Sequence, residues 1–137
     1  MIYSEEVIKH FRNPSNMGKM SNPDGTGEVG NPVCGDMMNI YIRVGQNKKK
    51  QEIIEDIKFE TLGCVAAIAT SSMITEMAKG KTLEEALKIE YTDVAKSLGS
   101  LPPIKTHCAG LAVEGLRAAI EDYRKNLSDT KTLIAHE

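Results

Sequence analysis

The chain has only three cysteines, Cys34, Cys64 and Cys108. They cannot all pair within one molecule, so a disulfide framework is excluded as the organising principle. No apolar run reaches the length that crosses a bilayer, and residues 1–6 lack both the basic region and the apolar stretch of a secretory signal. A reducing, cytoplasmic setting with no membrane partner is therefore expected. Nor is there an excess of one charge. Seventeen basic and nineteen acidic residues give a net charge of -2, which offers no support for bulk electrostatic binding of nucleic acid. Gly25, Gly27 and Gly30 fit neither a phosphate-binding loop nor a dinucleotide fingerprint. Internal repeats and low-complexity segments are also lacking.

With 137 residues the chain predicts one domain, burying roughly two thirds of its unfolded surface without staples. Ser4 is placed to cap a short helix running to about Phe11, with Glu5 and Glu6 in its first turn. A polar, Gly-rich lead-in follows Asn13 and Pro14. Strands are predicted over 27–30, 37–44 and 53–61. In the second, Met38, Ile40, Ile42 and Val44 share one face. In the third, Ile53, Glu55, Ile57 and Phe59 are expected to share one, leaving the other wet. Short loops favour an antiparallel meander, with Lys48, Lys49 and Lys50 in a solvated hairpin turn.

Helical periods take over after Gly63. Residues 65–78 are apolar and small, suited to a helix packed closely on a sheet, and Gly80 ends it. Thr82 and Glu85 have the spacing of a capping box, which starts another short helix. A third is expected over 93–98. Ala109, Ala112, Val113, Leu116, Ala119, Ile120 and Tyr123 then recur at three- and four-residue spacings in the clearest amphipathic helix of the chain. The fold class is α+β: a small three-stranded antiparallel sheet covered by helices on one face, with a long C-terminal amphipathic helix.

The neighbours of the cysteines suggest chemistry. Cys34 stands two residues before Asp36, Cys64 follows Gly63, and Cys108 follows His107. Three thiolates and an imidazole suit Zn²⁺ or iron–sulfur chemistry, whereas a carboxylate is the harder donor. Cys64 and Cys108 each fall where a loop enters a helix. Free N–H groups and the helix dipole favour thiolate there. Adjacent residues on a helix point in different directions, so His107 and Cys108 are not expected to act as a base–nucleophile pair, and no independent catalytic cycle is expected.

In order along the chain come Asn13-Pro14 with Asn16 and Gly18, then Gly27-x-Val29-Gly30-Asn31-Pro32-x-Cys34-Gly35-Asp36. Phe59-x-Thr61-x-Gly63-Cys64 with the following Ala67-Ile68-Ala69-Thr70-Ser71-Ser72 comes next, and Leu101-Pro102-Pro103-Ile104-Lys105-x-His107-Cys108 comes last. In this ordered set the chain resembles the U-type iron–sulfur cluster assembly scaffolds, the IscU proteins and the N-terminal domain of NifU. The resemblance implies a scaffold domain over 1–127, with 128–137 a polar C-terminal tail. It also implies de novo assembly of a [2Fe–2S] cluster from Fe²⁺ and from sulfur supplied by a cysteine desulfurase of the IscS/NifS type, followed by transfer to acceptor apo-proteins. Cys34, Cys64 and Cys108 are then the thiolate ligands, and Asp36 and His107 complete cluster or Zn²⁺ coordination. Asp36 promotes release, Cys108 accepts the sulfur, and Lys105 exchanges contacts with Asp36 or Cys108. By the same resemblance, Leu101, Pro102, Pro103, Ile104 and Lys105 form a segment recognised by an Hsp70-type chaperone. Consecutive prolines suit that role, because an extended segment costs little to order.

Two departures accompany the resemblance. Val65-Ala66 stands where relatives have Gly-Ser, and its bulk is expected to restrict the pocket. Ala109-Gly110 stands where many have Ser-Val, and Gly110 is expected to loosen the helix entrance. The alternatives are a Zn-dependent sulfur acceptor of the SufU kind and a structural zinc protein. The short span between Cys64 and Cys108, and the presence of His107, favour the IscU-like class over the SufU kind.

Overall fold

Alternating apolar residues pair into a meander, and the helices that follow fold back over one of its faces. The computed structural model describes residues 3–31, 36–99, 101–102 and 105–135. Their order is α1 (Glu5–Arg12), β1 (Gly25–Asn31), β2 (Asp36–Gln46), β3 (Glu52–Leu62), α2 (Val65–Ala78), α3 (Leu83–Leu87), α4 (Tyr91–Ser97) and α5 (Thr106–Ala135). The three strands lie in sequence order and pair antiparallel throughout. The Ser4 cap on α1 and the Thr82–Glu85 capping box on α3 both form. In the hairpin after β2 the Asn47 side chain accepts from the N–H groups of Lys49 and Gln51, which turns the lysine run into solvent. α4 begins at Tyr91, two residues earlier than its sequence suggests, because Asp93 reaches back to the Glu90 N–H.

β3 departs from simple alternation. Ile54, Ile57 and Phe59 are buried, whereas Glu55 is exposed. Arg43 faces Asp56 but the next residue, Val44, faces Ile54, so Glu55 is an extra residue in the ladder. This bulge resets the inward parity, and Ile54 takes the core position expected for Ile53. Full burial of Phe59 and of each core isoleucine contributes about 1.5–3 kcal/mol. The free edge of β3 is covered by the lead-in: Gly18 N–H donates to Phe59 O (2.8 Å) and Phe59 N–H to Asn16 O (3.0 Å).

The position of α5 is set by backbone contact with β1. A Cβ on Gly25 would lie 2.2 Å from Ala119 O, and one on Gly27 would lie 2.1 Å from Gly115 O. Two strand residues advance about 6.7 Å and four helix residues about 6 Å, so a Gly-x-Gly strand stays in step with small residues four apart on a helix. As β1 runs forward from Gly25 to Gly27, its contacts move backward along α5 from Ala119 to Gly115. The helix is therefore antiparallel to the strand. Its N-terminus arrives at the sheet end where Asn31 pairs with Asp36 and Met37 with Leu62. Asp122 accepts the outward N–H of Thr26 (2.8 Å). The Tyr123 hydroxyl donates to Glu52, and burial followed by that bond pushes its phenol up to about 12. The helical backbone continues through Ala135, into the segment read as a tail.

Two alanine substitutions should move stability in opposite directions. Gly27→Ala forces the helix off the strand and should cost about 1–3 kcal/mol. Gly110→Ala meets nothing within 4 Å and should gain about 1 kcal/mol from helix propensity. Urea unfolding of both variants checks this; equal midpoints would contradict the packing described.

Candidate functional site

The end of the sheet reached by α5 is also where β3 hands over to α2. Leu62 ends the strand, and Cys64 is the extended N-cap residue of α2, with its side chain making no cap hydrogen bond. Cys108 is the third residue of α5. Two helix N-termini thus meet, and their cysteine sulfurs lie 3.9 Å apart, both free of disulfides. Each sits at a helix start, where the helix dipole favours negative charge.

The surroundings differ on the two sides. Behind the sulfurs, Ala66 and Ala67 form a small buried cluster with Cys108, against which Tyr3, Cys64 and Leu101 pack. Small residues at these positions let the two helix starts come this close. Val65, partly buried, packs against the main core. Thr70 ties the helices together: its hydroxyl donates to Ala66 O (2.7 Å) and lies 3.3 Å from Cys108 O. On the polar side, His107 Nε2 stands 3.6 Å from Cys108 Sγ. This corrects the expectation that neighbouring helical residues diverge: both lie in the first turn, where the exposed imidazole reaches back over the sulfur. Lys105 follows a tight turn in which its N–H donates to Pro102 O (2.8 Å). Cys64 holds its ammonium above the ordinary lysine range, and Tyr3 and Cys108 add to that effect. Lys105 is therefore associated with Cys64 first and with Cys108 as well.

The structure brings Cys64, Lys105, His107 and Cys108 together. Leu101 flanks them and Pro102 anchors the turn. Cys34, Pro103 and Ile104 lie outside the described residues, and for Asp36 only the backbone is described, at the start of β2. Among the described residues, no three His, Cys, Asp or Glu side chains form a metal cage by themselves. Two soft sulfurs, an imidazole and a cation can stabilise thiolates and present them to a soft ligand.

Sequence reasoning missed one residue of the site and the packing role of one run that the motif contains. Tyr3 packs at the site although it lies 105 residues before Cys108 in the chain, and no local pattern marks it. The Thr70-Ser71-Ser72 run contributes a buried polar junction. His10 Nδ1 lies 2.7 Å from Ser72 Oγ, which accepts the Ser15 N–H, and His10 Nε2 lies 3.5 Å from Glu76. The Ser72 side chain is buried, so this trio pins α1 and the lead-in to α2 and offers no nucleophile to a substrate.

The sulfur pair can be tested by mild oxidation. Diamide should join Cys64 to Cys108 within one molecule, because their sulfurs stand only 3.9 Å apart. Peptide mapping should find this disulfide as the first product. Its absence, with both thiols reduced beforehand and the fold intact, would contradict the geometry.

Comparison with known proteins agrees with the geometry. The family model described as "NifU-like N terminal domain" matches residues 2–130. A protein named "Iron-sulfur cluster assembly scaffold protein IscU 1" from Archaeoglobus fulgidus is 62% identical over 126 residues, spanning 91% of this chain and 79% of its own. The Escherichia coli protein named iron-sulfur cluster assembly scaffold protein IscU is 50% identical over 127 residues, spanning 90% and 95%. Among solved structures, a SUF-system scaffold of Fervidobacterium islandicum superimposes with a TM-score of 0.64 at 26% identity, over 85% of this chain and 95% of that one. A NifU-like N-terminal structure from Brucella abortus gives 0.65 at 16% identity, over 88% and 93%, and shares the fold. The chain belongs to the NifU-like N-terminal domain family, together with the IscU proteins.

Proposed function

We propose that this protein is a scaffold on which a [2Fe–2S] cluster is built and from which it is passed on, without a catalytic cycle of its own. The observation that supports this reading most strongly is the Cys64–Cys108 pair, 3.9 Å apart at two helix N-termini and accompanied by His107 and Lys105. Cys34, Cys64 and Cys108 supply thiolates, and Asp36 or His107 completes the coordination. Sulfur comes from a cysteine desulfurase. The Cys108 thiolate attacks the terminal sulfur of the donor persulfide, a new S–S bond forms on Cys108, the donor's S–S bond breaks, and the donor thiolate leaves. The step is a thiol exchange and needs no external oxidant. Acceptor apo-proteins receive the finished cluster. The segment of Leu101, Pro102, Pro103, Ile104 and Lys105 is the docking element for an Hsp70-type chaperone.

Asp36 is assigned to release, since a hard carboxylate holds iron less firmly than a thiolate beside sulfide. Zn²⁺ can occupy the same donors when iron and sulfide are absent. The SufU-like alternative ranks lower: IscU-named relatives reach 62% identity, against 26% for the SUF-system structure.

Anaerobic reconstitution of the reduced protein with Fe²⁺ and sulfide should give the Mössbauer spectrum of a binuclear centre. A folded, fully reduced chain that repeatedly takes up neither iron nor sulfide would overturn the scaffold reading. In the same samples Asp36→Ala should lengthen the cluster's lifetime under chelator challenge by several-fold. Unchanged or faster decay would remove Asp36 from the release step.

A further inference from the structure

Cys108 is fully buried, yet a sulfur acceptor must meet its donor. The site is not sealed on every side. Cys64, 3.9 Å away, is only half-buried, and the His107 imidazole is exposed. Two half-buried residues from non-helical segments, Tyr3 and Leu101, pack against the cluster of Cys108, Ala66 and Ala67. Tyr3 precedes the Ser4 cap of α1, and Leu101 follows the end of α4. The two segments are fastened to each other. The Ser4 hydroxyl donates to Leu98 O, and Gly99 turns with a φ of +87° so close by that an added Cβ would stand 3.4 Å from that of Ser4. Tyr3 also borders an open groove of about 500 Å³ lined by Ile8, Lys9 and Arg12, which gives the ring somewhere to go.

We propose that Tyr3 and Leu101 are access-controlling residues. They form a two-part cover over Cys108, coupled through the Ser4–Leu98 hydrogen bond. The proposal rests on the reading of Cys108 as sulfur acceptor, but the cover itself is a physical property that exists whether or not sulfur is transferred. A covered thiol reacts only through local opening, so its reactivity reports the cover directly. Cys64, outside the cover and in the same molecule, is the internal reference. Packing forms the cover, so Phe should replace Tyr3. The latch can be cut without uncapping α1: an Asp at position 4 still accepts the Val7 N–H but has no proton to donate to Leu98 O.

The test is site-resolved alkylation of the full-length, chelator-treated, reduced protein by iodoacetamide, with each cysteine followed by peptide mass spectrometry. In the wild type, Cys108 should label at least about tenfold more slowly than Cys64. Tyr3→Ala, Leu101→Ala and Ser4→Asp should each speed Cys108 labelling several-fold and leave Cys64 unchanged, while Tyr3→Phe keeps the wild-type rate. Circular dichroism checks that each variant is folded; if one is not, the other two carry the test. Wild-type labelling of Cys108 as fast as Cys64 would overturn the cover. So would folded Tyr3→Ala and Leu101→Ala proteins in which Cys108 stays protected, or variants in which Cys64 accelerates in parallel. Cluster assembly is not an input to the experiment, so a failed cover and a failed scaffold assignment give separate results.

Discussion

The approach of α5 to β1 is the constraint from which the site follows. With Gly25 and Gly27 on the strand, and Gly115 and Ala119 on the helix, there is backbone where side chains would otherwise stand. Such contact fixes depth, direction and register together, because both backbones are rigid and neither can yield by changing a rotamer. Once α5 is held antiparallel to β1, its first turn must reach the sheet end where β3 stops and α2 begins. Cys108 then meets Cys64 without any loop having to hold them. The hydrogen bonds of Thr26 to Asp122 and of Tyr123 to Glu52 fasten the same helix farther along.

The site has to reconcile two opposing demands. Helix N-termini and a neighbouring cation such as Lys105 suit an anionic ligand set, while burial disfavours charge. Cys64 is half-exposed and close to Lys105, whereas Cys108 is buried against Ala66 and Ala67 with an imidazole beside its sulfur. This asymmetry gives the two sulfurs different access and different company within 4 Å of each other. A soft ligand bound by both would be held between a wet face and a dry one.

Much of this was legible in the sequence, because local rules and global packing agree. The Ser4 and Thr82 caps, the alternation of Met38, Ile40 and Ile42, and the small-residue run after Cys64 each specify their element directly. The failures have physical causes. A bulge at Glu55 depends on how β2 pairs with β3, so it leaves no mark on β3 alone. The glycines of β1 have no local turn to explain them; their purpose is visible only when a helix from the far end of the chain lies across them. His107 reaches Cys108 because both begin a helix, an end effect that residue spacing does not convey. Likewise, Tyr3 packs against the cluster of Cys108, Ala66 and Ala67, a contact between residues far apart in sequence that no local pattern marks. Cys34 and the Asp36 side chain, placed at the site by resemblance alone, remain part of the proposal.

The central claim is that Cys64 and Cys108 serve one centre. Co²⁺ tests it most directly, because a thiolate bound to cobalt gives a sulfur-to-metal charge-transfer band that weakens with each thiolate removed. Anaerobic titration of the wild type, Cys64→Ser and Cys108→Ser should show a single saturable site in the wild type and a weaker charge-transfer band in both variants. Full wild-type band intensity in either folded variant would mean that the two sulfurs, though neighbours, do not share a metal.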